Sequence, residues 1–405
     1  MLQQQGHRVV FIVEESFAGT LEAKGFEERL MRLGPAPEVP EEPGQFWKDF
    51  IRDTAPVFRE STFDQLGSFI APTWQALLDG ARYVDDRLRD ILGDLKPDVI
   101  VEDNVCSFPA IPASGRPWVR IVSCNPLEAK DPSLPPPFSG LPADDAKQWA
   151  SFRSEYAQQI GEMQTSFSDF CRDRGAPPLP DGEMIHESPW LNFVIYPAEL
   201  DYRRSTPLPA TWHNLETSVR ATDEEWSPPE HRRPLIYLSL GSLGSADVPL
   251  MRRLVEALAG TPYDFIVSKG PQYDQYDLAE NMTGEEFLPQ VSVLPHVDAV
   301  ITHGGNNTTT ECMWHGKPML VLPIFWDQHD NAQRVHETGF GLRLPTYTFT
   351  DEQLDRALGT LLADAALRHR VAAAGERLRR SSGTARAAEL IEQLARTGAP
   401  VPRSA

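Results

Sequence analysis

The residues best equipped for chemistry lie in one stretch, Phe287 to Asn331, which reads FLPQVSVLPHVDAVITHGGNNTTTECMWHGKPMLVLPIFWDQHDN. Two polar loops in it, HGGNNT and FWDQHDN, each follow a short apolar run. In the first, His303 offers a donor, and Gly304 and Gly305 lack a Cβ, so a ligand can approach the backbone closely. Asn307 and Thr308 add polar side chains. A helix opening here would present unpaired N–H groups and about half a positive charge, a setting that suits phosphate. Glu311, one turn along, is the right type to accept hydrogen bonds from sugar hydroxyls. Asp327 and Gln328 in the second loop form another hydroxyl-binding pair.

The elements that must position these groups follow from the apolar pattern. Val297–Thr302 and Pro318–Ile324 read as strands, and Asn306–Trp314 reads as a short helix stopped by Gly316. That is one strand-helix-strand unit of an open α/β sheet, in which ligands sit beyond the C-terminal strand ends. A capped helix packed on a sheet would explain the caps and Gly316. It leaves His303, the paired glycines and Asp327-Gln328 without a reason.

These residues resemble the donor-binding signature of the UDP-sugar-dependent glycosyltransferases, including the bacterial macrolide and natural-product enzymes. That signature runs aromatic-x-Pro-Gln, then His-x-Gly-x-Asn-(Ser/Thr)-x-x-Glu, then Asp/Glu-Gln. The chain supplies Phe287-Leu288-Pro289-Gln290, then His303, Gly305, Asn307, Thr308 and Glu311, then Asp327-Gln328. The resemblance implies an α/β chain of GT-B fold, two Rossmann-like domains facing across a cleft. It places Gln290 and the Leu288 backbone on the base and Glu311 on the ribose. His303, Gly305, Asn307 and Thr308 fall on the diphosphate, and Asp327 and Gln328 on the sugar. Phe287 stands where many members have Trp. The Gly241-Ser242-Leu243-Gly244-Ser245 turn is a weak phosphate cradle alone, but the resemblance adds Ser242 to the diphosphate site. It also implies a catalytic His in an N-terminal Gly-His loop, oriented by an Asp that matches Asp103. The His has no match here.

Composition bounds the rest. At 405 residues, with 41% apolar and 24% charged, the chain can build two cores. No apolar run is long enough for a membrane span. A net charge of −20 argues against nucleic acid or an anionic membrane as partner. It does not exclude an anionic donor, because exposed charges fade beyond about 8 Å while a helix end acts at contact. Cys106, Cys124, Cys171 and Cys312 form no CxxC pair, the pattern of a reduced, cytoplasmic chain. No D-x-D pair and no His/Cys cluster at metal spacing occurs, so neither metal nor cofactor is expected beyond a UDP- or TDP-sugar as co-substrate.

In chain order, the opening MLQQQG reads as the tail of a helix capped by Gly6, leading into a strand at Val9–Val13. Family members begin with a strand, the Gly-His loop and a helix, so roughly twenty residues are expected upstream of Met1. Phe46, Trp47, Phe50, Phe58, Phe63, Phe69 and Trp74 read as core ahead of an acceptor-pocket lining. Pro97–Asp103 is a strand ending in acids, and Asp103 either caps the next helix or faces the cleft. Ile111–Cys124 is another strand. The Pro132–Pro142 loop and a Trp149–Arg174 helix frame the acceptor side, and Leu191–Ala198 closes the first half.

The expected division is 1–205 for an acceptor domain, 206–234 for a linker, 235–383 for the donor domain and 384–405 for a helix crossing back. The function implied is inverting transfer of a hexose to a hydroxyl of an apolar small molecule. A nucleotide-sugar-binding protein without turnover and a sugar-nucleotide epimerase remain alternatives. Replacing His303 with Ala should weaken UDP binding by about 1–3 kcal/mol, the worth of one buried donor. Thr308→Ala should cost less, and calorimetric titration with UDP reads both.

Overall fold

The structure is a computed structural model that describes residues 1–36, 45–219 and 224–403. In the first half, Val10–Glu14 (β1) lies parallel to Glu27–Met31 (β2), with Val10 opposite Glu27. Among the described residues these two strands pair only with each other. A second parallel sheet has the order β3-β4-β5-β6, formed by Ile100–Glu102, Trp118–Val122, Leu191–Val194 and Trp212–Asn214. Helices α1 (Gln45–Thr54) and α2 (Ala71–Leu95) precede it, the single turn α3 (Ala110–Ala113) separates β3 from β4, and α4 (Trp149–Asp173) leads to β5.

The sequence explains most of these limits. α2 buries Trp74, Leu78, Ala81, Val84, Leu88 and Leu92, a helical stripe packed with Ile100, Trp118 and Val122. It ends at Lys96 in a left-handed conformation, where Pro97 disfavours a further helical residue. Two expectations differ. Ile111–Cys124 is not one strand, because Gly115 at φ 67° and Pro117 break it and only Trp118–Val122 pairs. Leu191–Ala198 is not the last strand of its half either: β6 falls inside the span assigned to the linker and pairs with β5 through Asn192–Trp212. Phe58, Phe69 and Trp74 are buried and Phe63 packs against them, whereas the side chains of Phe46, Trp47 and Phe50 lie outside the described residues.

The second half restarts at Leu235–Ser239 (β7), apolar on both faces and wholly buried. It continues through the one-turn α5 (Gly241–Gly244), α6 (Val248–Leu258), β8 (Asp264–Ser268), β9 (Met282–Glu285) and the one-turn α7 (Gln290–Val293). Then follow β10 (Ala299–Thr302), α8 (Asn306–His315), β11 (Met319–Val321), α9 (Gln328–Glu337) and β12 (Gly341–Arg343). α8 stops at Gly316, φ 67°, whose N–H returns to the last turn. The sheet is parallel throughout, in the order β12-β11-β10-β7-β8-β9. Chain direction across the sheet therefore reverses between β7 and β10, the place where a doubly wound sheet opens a ligand crevice.

Helices α10 (Asp351–Ala363), α11 (Ala365–Leu378) and α12 (Gly383–Thr397) end the fold. α12 leaves the second half and lays Leu390 and Leu394 on Val119, Leu191 and Phe193 of the first sheet. Just before it, Arg377 reaches Glu199 at 2.5 and 2.6 Å and Glu216 at 2.7 Å. No described helix is long and apolar enough to cross a membrane. The first turn of α12 has no room for a side chain: a Cβ on Gly383 would stand 2.0 Å from the Thr217 carbonyl and 2.4 Å from that of Leu215. Both obstacles are backbone. Gly383→Ala should therefore destabilise the protein by about 1–3 kcal/mol, the usual range for an overpacked site, read as a lower midpoint in urea.

Candidate active site

Thr302 of β10 lies opposite Ser239 of β7, so the loops that follow these strands emerge side by side. Between them stands the His303 ring. A Cβ on Gly241 would sit 2.9 Å from its Cε1, and a Cβ on Gly305 2.5 Å from its Nε2. The ring thus lies against two bare stretches of backbone. The missing side chain of Gly305 makes room for His303. Gly304 likewise serves packing: its φ is 88°, and a Cβ there would meet Val321 Cγ1 at 2.7 Å. Enclosure pulls the His303 pKa down to about 4, against the opposing effect of a hydrogen bond with the Ser239 backbone. Near pH 7 the imidazole is neutral, a hydrogen-bonding group and not a cation.

The first turn of α8 divides its tasks. Asn306 turns toward the first domain, donating to the carbonyls of Ser123 at 2.5 Å and Ile195 at 3.1 Å. Asn307 is exposed at the helix start, and Ser242 is exposed in α5 next to Gly241. The hydroxyls of Thr309 and Thr310 return to the Gly305 and Asn307 carbonyls and brace the turn. Thr308 and Glu311, one turn apart, converge on Gln290 at the start of α7. The Gln290 amide donates to Thr308 Oγ1 at 3.2 Å and to Glu311 Oε2 at 2.5 Å. Leu288 is half-buried beside them, while Phe287 keeps 55% of its surface exposed, enough for a flat ring to stack on it.

The second loop is held from within and from across the cleft. Gln328 Oε1 accepts from the backbone N–H groups of Ile324 and Phe325 at 3.0 and 3.2 Å. Its oxygen is therefore committed to the loop, and only its amide nitrogen could meet a sugar hydroxyl. Asp327 accepts from Asn331 Nδ2 at 2.9 Å. Burial raises its pKa to about 7, the Asn331 bond opposing. Trp326 sits at φ 57°, unusual for a large residue, and its ring packs on Trp74 at 5.1 Å and Phe138 at 4.5 Å. On the first-domain side Asp103 accepts from Ser123 Oγ at 2.6 Å, and burial moves its pKa upward. No hydrogen bond joins it to a histidine among the described residues.

Several contributors escaped the sequence reading. Asn331 donates to the Gly304 carbonyl at 2.8 Å and to Asp327, and its Oδ1 accepts from Asn125 at 2.8 Å and Tyr196 at 2.9 Å. Asp330 accepts from the N–H groups of Phe138 and Gly140 at 2.6 and 2.8 Å, fixing the Pro-rich loop. Glu128 stands near Asp327 and Asp103. Burial lifts its pKa to about 8, Arg120 opposing and the two aspartates adding to the rise. The only available signal was the i, i+4 spacing of Asp327 and Asn331 on one helix face. Among the described residues no group of three His, Cys, Asp or Glu side chains could hold a metal.

The fold is shared with solved glycosyltransferases. A structure described as the glycotransferase of kitacinnamycin superposes with a TM-score of 0.73 at 22% identity, covering 97% of this chain and 92% of that one. Glycosyltransferase VinC, solved in complex with DTDP, gives 0.63 at 19%, covering 98% and 94%. Residues 218–374, the span containing Gln290, His303, α8 and Asp327, match the family described as UDP-glucoronosyl and UDP-glucosyl transferase. The chain is a GT-B glycosyltransferase. Over 97% of its length, and 81% of the relative's, the enzyme is 25% identical to demethyllactenocin mycarosyltransferase of Streptomyces fradiae. It is 26% identical to zeaxanthin glucosyltransferase of Pantoea ananas over 79% of this chain and 78% of that one. Asn331→Ala would strip partners from both loops and from the first domain. It should cost about 3 kcal/mol, since buried groups are left unpaired, and should weaken UDP binding in the same titration. A fall in stability with unchanged UDP affinity would confine Asn331 to the domain seam.

Proposed function

We propose that the enzyme moves a hexose, with inversion, from a UDP- or TDP-sugar to a hydroxyl of a small natural-product acceptor with a largely apolar body. The observation that carries this reading is the His303 ring held between Gly241 and Gly305 at the β7/β10 reversal, beside the first turn of α8. In the displacement, the acceptor hydroxyl oxygen attacks the anomeric carbon and gives up its proton to solvent, and the bond to the diphosphate breaks, its electron pair leaving with the diphosphate. The free N–H groups of α8, neutral His303, Asn307, Thr308 and Ser242 would meet that charge. Preorganised donors of this kind contribute about 3–4 kcal/mol to a transition state. Gln290 would read the pyrimidine edge, Glu311 the ribose and Asp327 the hexose, with Gln328 helping through its nitrogen. Asp103 would serve on the acceptor side, where it faces Ser123.

The acceptor half fits an apolar body. Phe58, Phe69 and Phe325 meet at ring distances of 5.0 to 5.3 Å, and Trp74, Phe138 and Trp326 form a second group across the cleft. Names of the relatives support the same class: one is a mycarosyltransferase named for demethyllactenocin and the other a glucosyltransferase named for zeaxanthin.

Incubation with UDP-glucose or TDP-glucose, with and without a panel of hydroxylated acceptors, tests the proposal. Acceptor-dependent diphosphate release is expected; epimer formation alone, or binding without change, would replace it with one of the rival readings. The sugar contact carries its own pH dependence. Because burial holds the Asp327 pKa near 7, the accepting carboxylate forms as pH rises from 6 to 8. The affinity advantage of UDP-glucose over UDP should grow across that range. In Asp327→Asn it should be smaller and flat, with UDP affinity itself nearly unchanged.

A further inference from the structure

One cavity in the first domain is not the plain apolar slot that such an acceptor would need. It is lined by Trp74, Phe138, Tyr156, Glu128 and, from the middle strand β4, Arg120. Arg120 is only 4% exposed. Its guanidinium lies over the Trp212 indole at 5.5 Å, which supports its plane and leaves its edges for hydrogen bonds. Nε and Nη2, the two nitrogens of one edge, have no hydrogen-bond partner among the described residues, while the Tyr156 hydroxyl and the Trp74 indole N–H on the same wall face each other.

The nearby acids do not take this edge: Glu128, on the same wall and within the field of Arg120, makes no ion pair with it within 4.0 Å among the described residues. Glu102 is level with Arg120 across the β3–β4 ladder, yet no ion pair within 4.0 Å joins them among the described residues. Glu183, also on the cavity wall, is engaged by Lys130 at 3.1 Å. A buried guanidinium with an unused side-on fork is costly unless something fills it. The group that matches two parallel N–H vectors is planar and carries two oxygens. The cavity also adjoins the donor loop, since Trp326 packs on two of its walls, Trp74 and Phe138.

Resting on the reading of this half as the acceptor side, we propose that the cavity is a carboxylate subsite: the acceptor carries a carboxylate, held bidentate by Arg120 Nε and Nη2, on its apolar body. The Tyr156 hydroxyl, its oxygen facing the Trp74 indole N–H, would add a donor to the same group. Arg120 is then a specificity-determining residue and takes no part in bond breaking.

The test compares 4-hydroxybenzoate with 4-methylphenol, which differ by a carboxylate against a methyl group, by calorimetric titration of the full chain. The wild-type protein should bind 4-hydroxybenzoate at least about tenfold more tightly, in keeping with a charge-assisted pair. Arg120→Met should erase that preference, and Arg120→Lys should keep a part of it, while UDP affinity changes less than about twofold in both. Absence of a preference in the wild-type protein overturns the proposal without recourse to a variant, as does a preference that survives in Arg120→Met. Loss of UDP binding in the wild-type protein would instead overturn the donor-site reading, so the two failures are distinguishable.

Discussion

One buried amide ties both halves to the glycine loop. Asn331 has one carbonyl and one NH2, and both are fully used: the oxygen by Asn125 and Tyr196 of the first domain, the nitrogen by the Gly304 carbonyl and Asp327. A wholly buried amide is tolerated only when its bonds are made. Asn331 therefore joins the glycine loop, Asp327 and the first domain through one side chain, beside the Asn306 and Asp330 bonds across the same seam. His303 depends on this, since the Gly304 carbonyl that Asn331 fixes belongs to the residue between the ring and Gly305.

Charge in the cleft differs from what the composition suggests. The chain carries a formal −20, yet it is built to face a diphosphate. Burial resolves much of the conflict. Asp327 and Asp330 titrate near 7, and Glu102 and Glu128 near 8, so these carboxyls repel an anion less than their number implies. In the proposed reaction, neutral His303 and the start of α8 would then act on the phosphates with little opposing field nearby.

Legibility in the sequence followed the range of the interactions. β7 was visible to the residue because five buried positions in a row admit little besides a strand covered on both faces. α8 was visible because Gly316 stops it locally. β6 was hidden: three residues in a Pro-rich, polar segment become a strand only through pairing with β5. The two glycines were noticed for their bare backbone, but not their protein neighbours, Val321 and the His303 ring, which no local pattern announces. Asp330 and Asn331 stood in plain view in DQHDN, but their first-domain partners lie 135 to 206 residues away, beyond the reach of any spacing rule. Arg120 was hidden by its setting, a run in which every neighbour argues for a core strand.

The clasp on the Pro-rich loop has a consequence for how such an enzyme diversifies. Phe138 and Gly140 are held by Asp330, Gly140 again through its carbonyl by Arg343 at 2.9 Å, and Ala143 by Glu337 at 3.0 Å. The 138–143 stretch is thus tied to the second half by these four hydrogen bonds, beside those that Thr62 and Trp149 of its own half give to the Ser139 and Pro142 carbonyls. Recombination at the linker, trading whole halves between relatives, would separate the loop from its fasteners. Productive chimeras would have to carry residues 138–143 together with 330–343, two segments far apart in the gene that behave as one heritable unit.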